Sequence, residues 1–202
     1  MGICYLVGAG DFYGQITKSD NDFIIAADGG LDSLIHHGYI PDLLIGDFDS
    51  LKSDIPEGVH TIRHPKEKDE TDMFLAYSEG VKLGYTEFVM LGATGGRLDH
   101  TYANLSLLLY AKDHGHNVTV MDANGIILCL KNESITLSGN TGDNFSVFAA
   151  NGEAYGVSIK GAKYEVENTT LSPLFPLGVS NEFTDTDAHI SVKDGNLLVI
   201  AK

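Results

Sequence analysis

The sequence contains 202 residues, of which 43% are hydrophobic and 20% are charged, and this composition is typical of a globular protein with a sizeable core. Its 28 acidic and 13 basic side chains give a formal net charge of −15, which argues against binding to nucleic acid or to an anionic membrane surface. The N-terminus lacks the features of a signal peptide, and no apolar run approaches the roughly 20 residues of a membrane span, so we expect a soluble, cytoplasmic protein. Cys4 and Cys129 each lie inside an apolar run and are predicted to be buried thiols.

Short apolar runs in the first part of the chain predict buried strands. They cover residues 3–7, 23–27, 43–45, 61–63, 87–91 and 118–121. Helices are predicted between them, at residues 31–37 and at residues 71–83 with Thr71 as the N-cap. A third helix, which ends before Gly115, is predicted from an apolar stripe formed by Leu98, Tyr102, Leu105 and Leu109. Strands that alternate with helices indicate an α/β domain with a mostly parallel sheet.

Polar, glycine-containing motifs follow four of these predicted strands directly. They are Gly8-Ala9-Gly10, Asp28-Gly29-Gly30, Gly46-Asp47-Phe48-Asp49-Ser50 and Gly92-Ala93-Thr94-Gly95-Gly96-Arg97. Ligands of open parallel sheets gather at the carboxyl ends of the strands. We therefore expect the four motifs to meet at one edge of the sheet and to form a ligand site there.

Asp47 and Asp49 occupy alternate positions after the third apolar run. If the backbone stays extended, their side chains point the same way and converge on one point. Two carboxylates at one point repel each other unless a cation or a proton lies between them, and Mg²⁺ suits the position because it takes carboxylate and phosphate oxygens. The alternative interpretation is a solvated turn, since Asp and Ser are ordinary turn residues.

Two further segments offer partners for such a site. The mixed-charge segment 64–72 could direct Lys68 to a phosphate and Asp72 to the metal, or it could be a solvated loop with acidic side chains before a helix. Gly95 and Gly96 would let a ligand approach the start of the third helix, where Arg97 suits a phosphate group. The alternative for Arg97 is a surface ion pair with Asp99.

After about residue 121 the pattern changes to short β runs with little helical signal. These runs cover residues 126–130, 134–137, 145–149, 155–159, 188–192 and 197–201. They predict an all-β, sandwich-like domain over residues 123–202, after an α/β domain over residues 1–122. Asp194-Gly195-Asn196 predicts a hairpin between the last two runs. On its chemistry alone, the loop 176–183 is a plain turn.

Five of these motifs together resemble the thiamine pyrophosphokinase family. They are Asp28-Gly29-Gly30, residues 46–50, Lys68 to Asp72, Thr94 to His100 and Gly178 to Phe183, and the resemblance covers nearly the whole chain. It implies an α/β domain that binds ATP and Mg²⁺, followed by a β-sandwich domain that binds thiamine, in a homodimer. The implied reaction transfers pyrophosphate from ATP to the hydroxyl of thiamine and releases AMP.

The resemblance also implies roles for individual residues. Asp47, Asp49 and Asp72 match the metal-binding carboxylates, which with Arg97 are the implied catalytic residues. The implied ATP-binding residues are Asp28, Gly29, Lys68, Thr71, Arg97, Asp99 and His100. Ser180 and Asn181 match the loop associated with thiamine. Met73 departs from the small polar residue expected after the Thr-Asp pair, and we expect its side chain to pack within the protein.

Two other functions remain open from the sequence. A magnesium-dependent phosphatase could use the Asp-x-Asp pair as nucleophile and acid, but this leaves the glycine-rich Arg97 loop and the β module without roles. A non-catalytic nucleotide-binding module could use the same acidic cleft without turnover.

Overall fold

The computed structural model describes residues 2–202 and divides them into two compact units. The first unit comprises residues up to Leu107 together with Gly115–Ala123, and the second comprises Leu108–His114 together with Asn124–Lys202. Within the second unit, two ion pairs join the end of the segment 108–114 to residues 131 and 133. Lys112 binds Glu133 at 2.5 Å, and Lys131 binds Asp113 at 2.7 Å.

The first unit contains a parallel sheet of six strands, two complete helices and the first part of a third, whose end belongs to the second unit. In chain order the elements are β1 (Cys4–Val7), β2 (Phe23–Ala27), α1 (Gly30–His36), β3 (Leu43–Gly46), β4 (His60–Arg63), α2 (Asp72–Lys82), β5 (Glu87–Leu91), α3 (Leu98–Asp113) and β6 (Asn117–Asp122). The strands lie in the order β4-β3-β2-β1-β5-β6, and every neighbouring pair is parallel. The predicted parallel pairing is confirmed for these strands, so their carboxyl ends share one edge of the sheet.

Local sequence explains where α2 begins and ends. The hydroxyl of Thr71 accepts a hydrogen bond from the backbone N–H of Phe74 at 3.2 Å, which caps the first turn as predicted. The helix ends at Lys82. Gly84 follows with a φ of 91°, a left-handed conformation that glycine adopts at little steric cost. Met73 is buried, with 6% of its surface exposed, and packs within the unit as expected.

The helix α3 confirms the prediction that it ends before Gly115, but the predicted apolar stripe is not its buried face. Leu98 and Tyr102 are 81% and 73% exposed. The buried residues are Asn104, Leu107, Leu108 and Ala111. Both sets recur at helical spacing, so the apolar period alone could not select between them.

The core of the first unit is formed by apolar side chains from β1, β2, β3 and β5 packed against α1. Leu6, Ile25 and Leu44 are fully buried, as the near-continuous apolar runs predicted. Cys4 is also buried and free, and burial raises the pKa of its thiol to about 12. Burial likewise raises the pKa of Cys129, in the second unit, to about 11, so both thiols are inert under neutral conditions.

The second unit is built from antiparallel strands around its own apolar core. They are β7 (Gly125–Lys131), β8 (Ser134–Leu137), β9 (Asn144–Lys160), β10 (Val166–Leu171), β11 (Asn181–Glu182), β12 (Ala188–Ser191) and β13 (Asp194–Ala201). The predicted runs 145–149 and 155–159 are parts of the single long strand β9. Positive φ angles at Asn151, Gly152 and Gly156 bend it, so that its first part pairs with β13 and its end pairs with β10 and β12.

The predicted hairpin at Asp194-Gly195-Asn196 is wrong. These residues begin β13, which pairs with β7 and β9, whereas β12 pairs with β8 and β9. The strand β9 therefore separates the two strands that the turn residues would have joined. Within residues 2–202, no helix combines the length and the apolar character needed to cross a bilayer.

Candidate functional site

A cleft of about 360 Å³ opens at the carboxyl ends of the parallel strands, where the sequence predicted a site. The loops after β1, β2 and β5 line it together with the starts of α2 and α3. Its lining residues are Gly8, Ala9, Gly10, Ala27, Asp28, Thr71, Asp72, Met73, Gly92, Ala93, Thr94, Gly95, Gly96, Arg97, His100 and Asn104. Of the predicted site residues, Asp28, Thr71, Asp72, Arg97 and His100 thus share one cleft.

The floor of the cleft is made by two glycine-containing loops packed backbone against backbone. The N–H of Gly10 donates to the carbonyl of Gly92 at 2.9 Å, and the N–H of Asp11 donates to the carbonyl of Thr94 at 2.9 Å. A Cβ at Gly10 would lie 2.2 Å from the carbonyl oxygen of Thr94. Glycine is therefore required for this close approach, which leaves backbone rather than side chains facing a ligand.

Asp28 holds the loop that carries Asp47 and Asp49. Its Oδ1 accepts the backbone N–H of Phe48 at 3.1 Å, and its Oδ2 accepts the hydroxyl of Ser50 at 2.6 Å. Asp28 and Phe48 both have positive φ, 45° and 67°, an unusual conformation for residues with side chains. The two strained residues stabilise each other through this hydrogen bond.

The expected extended backbone at residues 47–49 is not found. The strand β3 ends at Gly46, Phe48 is left-handed, and Oδ1 of Asp47 accepts the N–H of Asp49 at 3.0 Å. This is the local turn that Asp side chains favour. The guanidinium of Arg63 lies 4.8 Å from the ring centroid of Phe48, which holds the turn against the end of β4.

Two lysines from the segment after β4 pair with two of the predicted metal-binding carboxylates. Lys66 binds Asp49, and this hydrogen bond lowers the pKa of Asp49 and raises the pKa of Lys66. Nζ of Lys68 lies 2.9 Å from Oδ1 of Asp72, an oxygen that is enclosed by protein and has no hydrogen-bond partner among residues 2–202. The pair with Lys68 is the less exposed of the two, and Lys66 was not anticipated from the sequence.

The carboxylates of the cleft and of the loop after β3 are the candidate ligands for a metal ion. Among residues 2–202, no group of three or more His, Cys, Asp or Glu side chains is close enough to hold a metal ion by itself. The donor chemistry nevertheless suits Mg²⁺, because it binds through one or two carboxylates and takes its remaining ligands from water and phosphate. Asp72, with its enclosed oxygen at the cleft wall, fits this requirement best.

Arg97 forms the surface ion pair with Asp99 that the sequence left open. Its Nε and Nη2 bind the two carboxylate oxygens at 3.1 and 2.5 Å, although both side chains are more than half exposed. The pairing raises the pKa of Arg97 and lowers the pKa of Asp99. The backbone N–H of His100 also donates to Asp99 at 3.0 Å, so Asp99 orients both neighbours at the start of α3.

Two buried polar residues hold the loop after β5: Thr94, which the sequence predicted only as part of a motif, and Asn104, which it did not predict. Thr94 donates its hydroxyl to Asp122 at 2.6 Å, and Asn104 donates its side-chain amide to the carbonyl of Ala93 at 2.7 Å. Both are buried in the cleft wall and fix the loop after β5. Nε2 of His64 is enclosed without a hydrogen-bond partner among the described residues. The partners of Thr94 and Asn104 lie 28 and 11 residues away along the chain, so local spacing could not predict these hydrogen bonds.

The predicted thiamine-loop residues Ser180 and Asn181 lie in the second unit and differ sharply from each other. Ser180 is exposed, with a positive φ of 59°, and its backbone N–H donates to the hydroxyl of Ser146 at 3.1 Å. Asn181 is 5% exposed and its side chain is turned into the protein. The preceding loop exposes four large apolar side chains, those of Leu174, Phe175, Leu177 and Val179.

Two family models match the chain, one in each half. A model described as the catalytic domain of thiamin pyrophosphokinase matches residues 15–120, and one described as the vitamin B1 binding domain of the same enzyme matches residues 130–197. Thiamin pyrophosphokinase 1 of Caenorhabditis elegans is 28% identical over 178 residues, which are 82% of this chain and 73% of the relative. Thiamine pyrophosphokinase of Bacillus subtilis is 25% identical over 182 residues, which are 87% of this chain and 85% of the relative.

Solved structures show the same fold. The crystal structure of thiamine pyrophosphokinase from Bacillus subtilis superimposes with a TM-score of 0.89 at 23% identity, covering 100% of this chain and 99% of the other. The structure from Geobacillus thermodenitrificans gives a TM-score of 0.84 at 25% identity, covering 99% and 97%.

Proposed function

Because the chain belongs to the thiamine pyrophosphokinase family, we propose that it transfers the pyrophosphoryl group of ATP to the hydroxyl of thiamine, giving thiamine diphosphate and AMP. The observation that carries this proposal is the cleft at the carboxyl ends of the parallel strands. There an arginine and acidic side chains, which lie within the segment that matches the catalytic-domain model, surround a glycine backbone floor. Transfer of this kind needs positioning and charge neutralisation more than covalent catalysis.

ATP is proposed to bind in this cleft through Asp28, Gly29, Lys68, Thr71, Arg97, Asp99 and His100. Arg97 supports the assignment because its guanidinium reaches solvent at the cleft and is held in a fixed orientation by Asp99. Asp28 and Gly29 begin the turn after β2, and the hydroxyl of Thr71 is occupied as a helix cap. Thr71 would therefore act by fixing the start of α2, whose free N–H groups attract phosphate.

Mg²⁺ is proposed to bind at Asp47, Asp49 and Asp72, which with Arg97 are the proposed catalytic residues. When bound, Mg²⁺ would neutralise charge on the phosphate oxygens of ATP. Lys66 and Lys68 already neutralise Asp49 and Asp72, so a metal ion at these carboxylates competes with the two lysines. Each lysine released in this way becomes available to a phosphate group.

Thiamine is proposed to bind at the loop that carries Ser180 and Asn181, in a homodimer. The exposed apolar side chains of Leu174, Phe175 and Leu177 support a partner surface here, because a monomer seldom exposes such a group together.

Light scattering should give the mass of two chains, and Phe175→Asp should shift the protein towards monomer. A wild-type protein of single-chain mass at micromolar concentration would contradict the dimer.

The domain arrangement follows the same assignment. We propose an α/β catalytic domain over residues 1–122 that binds ATP and Mg²⁺, and a sandwich-like thiamine-binding domain over residues 123–202. A cytoplasmic location is proposed as well, and the two buried free thiols suit a reducing compartment.

One assay tests the activity directly. The protein is incubated with ATP, Mg²⁺ and thiamine, and the nucleotide product is identified. AMP formed only in the presence of thiamine supports the proposal. ADP would indicate ordinary kinase chemistry, free phosphate without thiamine a phosphatase, and unchanged ATP a non-catalytic binding module.

Asp47→Asn should abolish AMP formation with little change in the unfolding temperature, because Asp47 is partly exposed and its charge is assigned to the metal. Asp54→Asn removes the same charge from an exposed position nearby and should leave activity unchanged. Near-normal turnover of Asp47→Asn would contradict the metal assignment.

A further inference from the structure

Asn181 is a buried side chain whose hydrogen bonds all run to the protein's own backbone. Its Oδ1 accepts the backbone N–H of Tyr164 at 3.0 Å and that of Glu182 at 2.9 Å. Its Nδ2 donates to the carbonyl of Tyr164 at 2.8 Å. The carbonyl of Tyr164 can only accept, so the orientation of the amide is fixed. Both acceptor sites of Oδ1 and one donor of Nδ2 are therefore occupied.

The segment before Asn181 is tightly held against β9. The carbonyl of Gly178 accepts the N–H of Val147 at 2.8 Å, and a Cβ at Gly178 would lie 1.8 Å from the carbonyl oxygen of Val147. Two residues later, the N–H of Ser180 donates to the hydroxyl of Ser146. Ser180 keeps a left-handed φ of 59°, which costs free energy for a serine and persists only when the surroundings impose it.

We propose that Asn181 is a positioning residue for thiamine binding. Through its hydrogen bonds to the backbone it fixes the segment 177–180, so that Ser180 faces the substrate. The side chain of Asn181 does not itself bind thiamine. The double hydrogen bond to Tyr164 ties one end of the segment, and the bond from Ser180 to Ser146 ties the segment next to it. The inference rests on the proposed function, since it gives a role to part of the thiamine-binding loop.

Direct binding and positioning predict different results for a second residue. The side chain of Ser146 contacts the segment by accepting a hydrogen bond from the backbone N–H of Ser180. If Asn181 acts by positioning, Asn181→Ala and Ser146→Ala should each raise the KM for thiamine, by about 10-fold or more for Asn181→Ala, because small misplacements of binding groups are costly. The double variant should be little worse than Asn181→Ala, since both act on one segment. The KM for ATP should not change.

Thr184→Val is the matched control. The hydroxyl of Thr184 donates to the carbonyl of Gly161 at 2.9 Å. This bond joins the chain just after Asn181 to the chain just before Tyr164, and it does not hold residues 177–180. It should lower the unfolding temperature and leave the KM for thiamine unchanged. Asn181→Asp, which keeps the two acceptor bonds, serves if Asn181→Ala does not fold, and Ser146→Ala tests the proposal in either case.

Hydrogen exchange of the free protein gives a readout that does not depend on turnover. The amide of Ser180 should exchange faster in Asn181→Ala and Ser146→Ala than in the wild type. In Thr184→Val its exchange rate should equal that of the wild type. The proposal is overturned if Asn181→Ala alone raises the KM, which would indicate direct contact, or if neither variant changes the KM or the exchange. A wild-type protein that forms no AMP with thiamine would instead overturn the proposed function.

Discussion

Asp28 shows how one side chain can organise a site that it does not fill alone. It occupies the turn after β2, yet its two oxygens hold Phe48 and Ser50, which flank the proposed metal ligand Asp49. Removing the acceptors leaves the N–H of Phe48 without its partner at a left-handed position. The loop is then free to leave the conformation that the site requires.

We therefore expect Asp28→Ala to lower kcat/KM for ATP by about 10- to 100-fold, which corresponds to the roughly 1–3 kcal/mol of a lost charged hydrogen-bond partner. Asp28→Asn should retain more activity, because asparagine tolerates a positive φ and can keep both hydrogen bonds when the Ser50 hydroxyl reverses. Steady-state kinetics compares the two, with Asp54→Ala as the control. Equal losses in both variants would show that the charge, and not the loop, is what matters.

Asp22 links the stability of the first unit to pH. The backbone N–H groups of Ile3 and Ser19 donate to its carboxylate at 2.6 and 2.8 Å, and these bonds lower its pKa. A lowered pKa means that the folded state binds fewer protons. The stabilisation is therefore complete above the unfolded pKa of about 3.9 and is lost as the pH falls through the lower folded value.

Asp22→Asn should accordingly destabilise the protein by roughly 1–2 kcal/mol at pH 7, less than a fully buried charged hydrogen bond because Asp22 is partly exposed to solvent. The difference from the wild type should shrink as the pH approaches 3. Urea unfolding at the two pH values measures it. Asp20→Asn, in the same loop and exposed, should show no such pH dependence, and a constant difference for Asp22→Asn would contradict the assignment.

The helix α3 and the strand β9 illustrate how much of the fold the sequence could predict. The parallel strands, both long helices and the edge that carries the cleft follow from apolar runs and from residues such as Thr71 and Gly84. The buried face of α3 does not, because leucines at 107, 108 and 109 allow several stripes at the same period. The sequence did not predict that β9 is one continuous strand, because the positive φ angles at Asn151 and Gly152 bend the strand without ending it.

The candidate site could also be predicted only in part from the sequence. Motifs at strand ends predicted that Asp28 and Arg97 share one edge of the sheet, as the topology of a parallel sheet requires. Asp72, which was proposed from the segment before α2, lines the same cleft. The turn at residues 47–49 was the alternative that the sequence left open, but its contact with Asp28 and the pairing of Lys66 with Asp49 join distant segments. Such contacts leave no trace in local spacing.

The burial pattern of α3 leads to a direct test. Leu108 is 1% exposed, so Leu108→Ala should destabilise the protein by about 2–5 kcal/mol through lost burial and the cavity that remains. Tyr102→Ala, on the predicted stripe, removes a larger side chain that is 73% exposed and should cost less than about 1 kcal/mol. Denaturant unfolding measures both. Similar losses would mean that the predicted stripe is buried after all.

The net charge of −15 acts on the whole molecule, because it favours approach of the cationic thiamine over the anionic ATP. Salt screens this attraction, with a Debye length of about 10 Å at 0.1 M. We expect kcat/KM for thiamine to fall by about threefold or more between roughly 20 and 200 mM potassium chloride, while kcat at saturating thiamine stays constant. The matched measurement is kcat/KM for ATP at constant free Mg²⁺, which should not fall, because the attraction acts on the cation alone. An equal fall in kcat/KM for both substrates would mean that salt changes the enzyme itself and not the rate at which thiamine associates with it. The acidic surface would then have no part in substrate capture.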